Sequence, residues 1–189
     1  AFLGRIFGKP VYIILNGTDC CAADKINYGV LRKPLAKWAC KFSYATATRL
    51  LPISRSLIQS NDAYASDLVG PQGVRHHFPE NSTPFDIIPY GIDVAFWNYE
   101  PSKSYRTRFI SVIHQTQFDR RDGTTLFEVF ERNRDWQLTL VGSIPAGTKI
   151  PTNVEVTPWM STSELKEAFG SSGFYIQLSL FEGFGCALA

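Results

Sequence analysis

The residues whose types and spacing are best suited to chemistry lie together at positions 179–189, "SLFEGFGCALA". An acid, Glu182, precedes two glycines that flank Phe184, and small residues follow from Cys186. Glycines in such a turn let backbone amides approach a ligand closely, because they carry no Cβ. A helix beginning near Cys186 would point its N-terminal amides at the same place, which favours a phosphate. The stretch predicts a strand-to-helix turn that binds a diphosphate beside a carboxylate; a surface acid in an ordinary turn is the alternative.

The elements that must position this turn follow from the hydrophobic pattern. Apolar runs predict buried strands at 11–15, 50–54, 109–113, 137–143, 153–159 and 172–179, and a strand followed by a turn at 86–93. Helices are predicted at 31–50, 54–68, 123–133 and 161–170, with a loop at 69–85. Pro34 fits only the first turn of its helix, Ser54 caps the next one, and Ser161 or Thr162 caps the last with Glu164 as its capping-box partner.

Strands that alternate with helices imply crossover connections and a parallel, doubly wound sheet. The pattern has no period over 95–108, so we predict domains at 1–97 and 109–189 with a linker at 98–108. Ligands of such sheets bind beyond the carboxyl ends of the strands. The candidate loops are therefore 16–19, 90–93, 114–123, 142–147, 158–160 and 180–189, and a cleft between two α/β domains is the simplest arrangement.

Composition excludes several classes of partner. The 19 basic and 17 acidic residues give a net charge of +2, which provides no electrostatic case for nucleic acid. Apolar runs are too short for a membrane span, and the first residues resemble a core strand rather than a secretory signal. The four cysteines and paired histidines lack metal-ligand spacing. We therefore expect buried or free thiols and solvated histidines, and a reducing, cytoplasmic compartment.

The chain resembles the retaining, nucleotide-sugar-dependent glycosyltransferases of family four, which have the GT-B fold of two Rossmann-like domains. Its "SLFEGFGCALA" is similar to the family signature, and the segments "GKPVYIILNGTD", "LLPISRSL", "IIPYGIDVAFW", "LTLVGS" and "NVEVTPWMSTSELKEAF" resemble other parts of the family. The resemblance covers nearly all of the chain. Family members are usually longer, which implies an internal fragment with two incomplete domains: 1–97 from the acceptor-side domain and 109–189 from the donor-side domain.

The resemblance implies roles for the residues of the signature. Glu182 is the glutamate at the catalytic centre that engages the donor sugar. Backbone amides after it reach sugar hydroxyls and phosphate, which assigns donor binding to Gly183, Phe184 and Gly185. The family places a second glutamate, which grips the ribose hydroxyls, one position beyond the end of this chain. We therefore expect the fragment alone to be inactive.

The resemblance also implies a cationic clamp on the diphosphate, where this chain departs from the pattern. The family has an arginine and a lysine before a glycine in the loop after the first strand of the donor-side domain. Aligning that glycine on Gly123 puts Gln117 at the arginine position and Asp122 at the lysine position. Arg120 and Arg121 lie alongside and supply the charge if the loop shifts register. In the alternative, these arginines only contact solvent.

Further positions at the edge of the cleft match the family in part. Asn16 and Gly17 stand where the family often has His-Gly, and Asn16 can hydrogen-bond a sugar hydroxyl but cannot act as an acid or base. Asp19 is either an acceptor at the site or a helix cap. Gly91 is expected to adopt a backbone conformation that other residues avoid, and to allow close approach across the cleft.

The nucleotide base of the donor has a predicted place in the second domain. By resemblance, Trp159 and Met160 lie where the family holds the base through backbone contacts and packing. A tryptophan in this sequence context belongs equally well to a protein core, so a plain core position is the alternative for Trp159. The sequence leaves the base itself open between a uracil and a guanine.

One surface feature concerns the membrane. Arg32/Lys33, Lys37 and Lys41 recur at helical spacing in "LRKPLAKWACK", with Trp38 nearby. Such a face suits peripheral contact with anionic lipid at the inner face of a membrane, as in some relatives that act on lipid-linked acceptors. A solvated helix face is the alternative.

The resemblance thus implies a hexosyltransferase of polysaccharide biosynthesis. It would move a sugar from a UDP- or GDP-sugar donor to a glycan or lipid-linked acceptor with retention of configuration, and without a metal or other cofactor. The alternative is a non-catalytic module of the same fold that binds nucleotide sugars or assists assembly and lacks the charge clamp. A dehydrogenase is disfavoured, because no GxGxxG follows a first strand.

Overall fold

The computed structural model describes residues 1–61, 67–98 and 106–187. Its contacts divide the chain into two compact units. Unit 1 consists of Ala1–Gly91 and Leu180–Cys186, and unit 2 consists mainly of Ile92–Ser179. Most of the predicted linker at 98–108 lies outside the described residues, so the predicted domain limits stay a prediction.

Unit 1 contains a two-stranded parallel sheet. Strand β1 (Tyr12–Leu15) pairs with β2 (Arg49–Pro52), and they are joined through helix α2 (Pro34–Thr46). Short 3-10 turns and the brief helices α1 (Phe2–Ile6) and α3 (Val74–His77) complete the unit. Pro34 occupies the first turn of α2, as predicted, since its missing N–H costs nothing there.

The core of unit 1 combines aliphatic side chains with one polar centre. Leu15, Leu50 and Leu57 are fully buried there. Gln72 is only 2% exposed, and its side-chain amide donates to the carbonyl of Val69 at 2.6 Å. Its Oε1 accepts from the backbone N–H of Ala22 at 2.8 Å, 50 residues away. This side chain therefore joins loops that no regular element connects.

Three local predictions in unit 1 are wrong. The helix predicted at 54–68 is reduced to a 3-10 turn over Arg55–Leu57, and Ser54 makes no capping bond. Residues 62–66 of that prediction lie outside the described residues. The chain leaves helical geometry because Ser60 forms an antiparallel bridge with Gln72.

The predicted loop at 69–85 contains α3. The segment from 86 runs beside β2 through the bond from Asp86 N to Leu50 O at 3.0 Å, without forming a named strand.

Unit 2 contains a four-stranded parallel sheet with the spatial order β5-β4-β3-β6. The strands are β3 (Arg108–Ile113), β4 (Gln137–Gly142), β5 (Val154–Thr157) and β6 (Phe174–Tyr175). In chain order, β4 pairs with one side of β3 and β5 pairs with β4, whereas β6 pairs with the other side of β3. That reversal is the topological switch point of a doubly wound sheet, where such folds bind ligands.

The helices of unit 2 agree with the sequence pattern. Helix α4 (Gly123–Arg132) buries Leu126, Phe127 and Phe130 on one face. Helix α5 (Thr162–Gly170) begins with the predicted capping box, in which Ser161 and Glu164 exchange side-chain and backbone bonds. Mutual bonding of this kind satisfies two amides that a helix start leaves without intrahelical partners.

Candidate functional site

The loop after β1 is held in a fixed shape by its own acid. The Asp19 carboxylate accepts from the backbone N–H of Asn16 at 3.1 Å and of Gly17 at 2.8 Å. Asp19 therefore fixes the loop from within, and the 3-10 turn that follows receives no side-chain cap. The side chain of Asn16 is oriented by Tyr90, whose hydroxyl donates to Asn16 Oδ1 at 2.7 Å.

The Glu182 turn packs directly on this loop within unit 1. Gly183 is buried, and a Cβ at that position would lie 2.7 Å from the carbonyl oxygen of Asn16, so only glycine permits the contact. The ring of Phe184 meets Tyr90 edge to face at 5.5 Å. The hydroxyl of Ser56 donates to the backbone oxygen of Glu182 at 3.4 Å. The structure thus brings together the predicted residues Asn16, Gly17 and Glu182–Gly185.

Gly91 follows Tyr90 but does not have the predicted backbone conformation. Its φ lies outside the left-handed region, and a Cβ would meet no atom within 4 Å. The requirement for glycine expected from "YGID" is therefore wrong for this structure, because the backbone there is one that any residue adopts. The predicted helix from Cys186 is described only as a turn at 186–187, and 188–189 lie outside the described residues.

In unit 2 the candidate cations lie at the switch point. Arg120 is 6% exposed, and Arg121 is half-buried. The guanidinium of Arg121 donates to Gln177 Oε1 at 2.6 Å, and the Tyr175 hydroxyl donates to the same oxygen at 2.7 Å. Gln177 and Tyr175 belong to β6 and its extension, so Arg121 links the loops on the two sides of the reversal. The burial of Arg120 does not fit the alternative of two solvated arginines, and the role of Arg120 and Arg121 as a clamp stays a prediction.

Asp122 has a structural use in the same loop. It adopts a left-handed conformation with φ of 46°, and its carboxylate accepts from the backbone N–H of Thr125 at 3.3 Å. The position aligned with the family lysine is therefore the N-cap of α4. Gln117, aligned with the family arginine, is half-buried and ends a 3-10 turn after β3. A Cβ at Gly123 would collide with the ring of Phe118, which explains glycine at the start of α4.

The residues predicted to hold the base, Trp159 and Met160, follow the carboxyl end of β5. The Trp159 side chain is 65% exposed, which excludes the plain core alternative. Its ring lies 6.3 Å from that of His114, and a Cβ at Gly142 would lie 3.2 Å from it. Met160 is half-buried beside it in sequence. An open indole face next to a bare glycine is a flat surface on which a base can stack.

Three residues join these groups that the sequence did not single out: Tyr90, His114 and Gln177. Tyr90 and His114 lie in the candidate loops 90–93 and 114–123, whereas Gln177 lies within the strand predicted at 172–179, where no loop signal marks it. Tyr90 and Gln177 act on predicted site residues through hydrogen bonds. His114 accepts from the backbone N–H of Thr116 at 3.3 Å and so shapes the turn that contains Gln117.

The ionisable groups behind the Asn16 loop are kept neutral. Burial raises the pKa of the Cys20 thiol and of the Tyr44 hydroxyl, and the Tyr44 hydroxyl donates to the backbone oxygen of Asp19 at 2.8 Å. All four cysteines are free thiols. Among the residues that the structure describes, no three His, Cys, Asp or Glu side chains are grouped to hold a metal ion. Across the same residues, no helix has the length and apolar character needed to cross a membrane.

No protein-family model matches the chain, and no curated protein sequence matches it. Among solved structures, it is similar to the catalytic domain of starch synthase IV from Arabidopsis thaliana bound to ADP and acarbose. The sequences are 12% identical, the TM-score is 0.58, and the match covers 95% of this chain and 48% of that one. The chain thus spans about half the length of that structure. The likeness confirms the predicted fold class: mixed α/β with parallel sheets, matching part of the Rossmann-like GT-B fold.

Proposed function

We propose that the protein is part of a glycosyltransferase that moves a hexose from a UDP- or GDP-sugar to a glycan or lipid-linked acceptor with retention of configuration. The observation that carries the proposal is the Glu182 turn closing on the Asn16 loop in a chain with part of the GT-B fold. The starch synthase domain that shares this fold was solved with ADP and acarbose bound, which supports a nucleotide-sugar donor and a glycan acceptor.

Unit 2 would bind the diphosphate and the base of the donor. Arg120 and Arg121 are the cations of the switch-point loop, and their burial strengthens attraction for an anion because water screens it less. Gln117 would add a neutral hydrogen bond in the same loop. Trp159 would stack on the base, with Met160 packing beside it. The positive charge would stabilise the diphosphate as it leaves the sugar.

Unit 1 would engage the sugar. The Glu182 carboxylate would accept hydrogen bonds from its hydroxyls, and the amides of Gly183, Phe184 and Gly185 would donate to hydroxyl and phosphate oxygens. Asn16 would bind a further hydroxyl, since Tyr90 already fixes its amide orientation. Catalysis would then consist of positioning and leaving-group stabilisation, without a metal. The bond from the anomeric carbon to the diphosphate oxygen would break, a bond from the anomeric carbon to the acceptor oxygen would form, and the proton of the acceptor hydroxyl would pass to the departing diphosphate.

A non-catalytic module that binds nucleotide sugars is the second candidate. It is favoured by one observation, the use of Asp122 as a helix cap where the family has a lysine. A carboxylate at that position weakens the cationic clamp, because it repels the diphosphate that the clamp must hold. Donor binding without any turnover by the longer protein would support this candidate over the first.

The proposal assigns turnover to the longer protein and only binding to this chain, in a cytoplasmic setting consistent with the free thiols. The test is titration of UDP- and GDP-sugars into the chain, followed by turnover assays on the longer protein. Glu182→Ala should lower turnover by about 100-fold, the scale of one lost transition-state contact. Glu167→Ala, an exposed acid on α5, is the matched control. Equal turnover by both variants would show that the site assignment is wrong.

A second pair of variants tests the clamp in unit 2. Arg121→Ala should weaken binding of UDP and GDP by about tenfold or more, because a charged hydrogen bond to phosphate is lost. Arg134→Ala removes the same charge from the loop between α4 and β4 and should leave affinity unchanged. If Arg121→Ala left the affinity for UDP and GDP unchanged, the loop at the switch point would not belong to the donor site.

A further inference from the structure

Three side chains form a closed set of hydrogen bonds at the switch point of the unit 2 sheet. The guanidinium of Arg121 donates through one nitrogen to Gln177 Oε1 at 2.6 Å and to the hydroxyl oxygen of Tyr175 at 3.4 Å. The same hydroxyl donates to Gln177 Oε1 at 2.7 Å. All three residues are half-buried. We call Arg121, Tyr175 and Gln177 the switch-point triad.

The sheet holds the two partners of the arginine in place. Side chains two positions apart along a strand point to the same face, and Tyr175 ends β6. The pairing with β3 continues beyond β6, because the N–H of Ile176 donates to the carbonyl of Ile110 at 2.9 Å. The Tyr175 ring also meets Phe169 of α5 edge to face at 5.7 Å. The triad is therefore built on regular elements as well as on the loop that contains the arginine.

The shared acceptor of the triad is an amide, which carries no charge. Arginine has no acceptor atom, so the amide of Gln177 must present its oxygen to the guanidinium. A carboxylate in this place would bind the guanidinium through two parallel, charge-assisted bonds and would neutralise it. An amide and a phenol instead give the guanidinium a direction, and these two partners do not cancel its charge. Half-buried, such a cation attracts an anion more strongly than it would in water.

We propose that Gln177 and Tyr175 are positioning residues, which direct Arg121 at the diphosphate of the donor and, being neutral, do not cancel its positive charge. The inference rests on the proposed function, since it takes the donor site in unit 2 as given. It deepens that function, because it says which property of the site recognises a diphosphate: a cation held in a fixed direction by uncharged partners. Neither positioning residue has to touch the substrate.

A triad that only fixes the loop makes a different prediction for one substitution. Gln177→Glu keeps the size of the side chain and its acceptor atoms, and adds a negative charge. If the triad is purely structural, this variant should bind nucleotides as before, because an ion pair holds the loop at least as firmly as the amide does. If the triad serves an anion, the variant should fold normally and bind the diphosphate weakly.

The experiment is titration of UDP and GDP into the 189-residue chain, with uridine and guanosine as ligands that have a base and no phosphate. Gln177→Glu should weaken binding of the preferred nucleoside diphosphate by about tenfold or more, because the guanidinium is neutralised and a like charge is placed near the phosphates. Affinity for the nucleoside, measured by ligand-observed NMR, should not change. The ratio of the two affinities separates the diphosphate from the base.

Two further variants complete the test. Tyr175→Phe removes only the hydroxyl that donates to Gln177 Oε1, and it should weaken nucleotide binding by about threefold, the scale of one hydrogen bond. Gln137→Glu is the matched control, because it makes the same chemical change at the exposed first residue of β4. That residue lies at the amino end of its strand, away from the switch point, and the variant should bind like the unaltered chain. Circular dichroism should show that every variant is folded.

The outcomes separate this inference from the proposed function. Unchanged nucleotide affinity in a folded Gln177→Glu would overturn the inference alone, and the donor site would stand if Arg121→Ala still lost affinity. An equal loss of nucleoside and nucleotide affinity in Gln177→Glu would also overturn it. If Gln177→Glu does not fold, unchanged affinity in Tyr175→Phe overturns it.

Absence of UDP and GDP binding by the unaltered chain would overturn the proposed function and the inference together. A selective loss of nucleotide affinity in Gln177→Glu and, to a smaller extent, in Tyr175→Phe supports the inference, provided that Gln137→Glu binds normally.

Discussion

The two units both contain parallel sheets, yet their cores are completed in different ways. In unit 2 the sheet is covered by side chains of regular elements, and Phe130 packs on Phe109 at 5.3 Å and on Trp136 at 6.0 Å. In unit 1 the sheet has two strands, and the side chain of Gln72 ties the surrounding loops together. The periodic pattern of apolar residues therefore accounts for the core of unit 2, whereas unit 1 depends on particular polar contacts between distant residues.

The strongest test of this contrast is a cavity in unit 2. Phe130→Ala removes a fully buried ring and should lower the free energy of unfolding of that unit by about 3–5 kcal/mol. Denaturant unfolding followed by circular dichroism would measure the loss, and hydrogen exchange would locate it. Protection of β1 and β2 should be unchanged. Equal loss of protection in both units would show that they unfold together and that the contrast does not hold.

The matching test in unit 1 removes a polar group. Gln72→Leu keeps similar volume but leaves the N–H of Ala22 and the carbonyl of Val69 without this partner. Unfolding of unit 1 should become easier by about 2–3 kcal/mol, because buried polar groups lose their hydrogen bonds. Gln59→Leu, at an exposed position, is the control and should change stability little. A neutral Gln72→Leu would mean that apolar packing governs unit 1 as well.

The contrast also predicts a response to pH that originates in unit 1. Burial lowers the pKa of His77 to about 4, and its Nε2 lies 2.8 Å from Gln72 Oε1, which makes Nε2 the donor of the neutral ring. Between about pH 6.5 and 4, His77 binds a proton in the unfolded chain but not in the folded chain. The free energy of unfolding therefore falls as pH falls through this range. Because the ring is half-buried, we expect roughly 1–2 kcal/mol.

The variant His77→Asn should flatten that dependence, as measured by urea unfolding at several pH values. His76→Asn changes the exposed neighbour, whose charge lowers the pKa of His77 less than burial does, and should keep most of the dependence. If both variants retain the slope, the proton is bound elsewhere and the polar centre around Gln72 is not the sensor.

The smallest expected effect concerns a local device of unit 2. Ser161→Ala removes the hydroxyl that accepts from the N–H of Glu164 at 3.3 Å and should cost about 1 kcal/mol. The midpoint of thermal unfolding should fall slightly in Ser161→Ala, and it should fall less in Ser171→Ala, which changes the other end of α5. A larger loss from Ser171→Ala would show that the start of α5 is not fixed by its cap.

The sequence predicted β3, β4 and α5 well because their signals are local, whereas the strand predicted at 172–179 is reduced to β6 (Phe174–Tyr175). Apolar runs gave β3 and β4, and the Ser161/Glu164 pair gave the start of α5. The helix predicted from Ser54 failed, because Ser60 bonds instead to Gln72, and a pairing across 12 residues has no local signature. In the site, the glycine-rich turn was visible in sequence. The contact of Gly183 with Asn16 was not, since it joins residues 167 positions apart.

The exposure of the cysteines determines where a fluorescent label can be attached. Cys20 and Cys21 are buried, and burial raises the pKa of the Cys20 thiol and of the half-buried Cys40 thiol, so Cys20 and Cys40 stay protonated at neutral pH. Cys186 is exposed, one residue after Gly185. A maleimide fluorophore should therefore label this single position without any engineered mutation. Attached beside the Glu182 turn, the dye would test the proposed donor site, because binding there should change its emission.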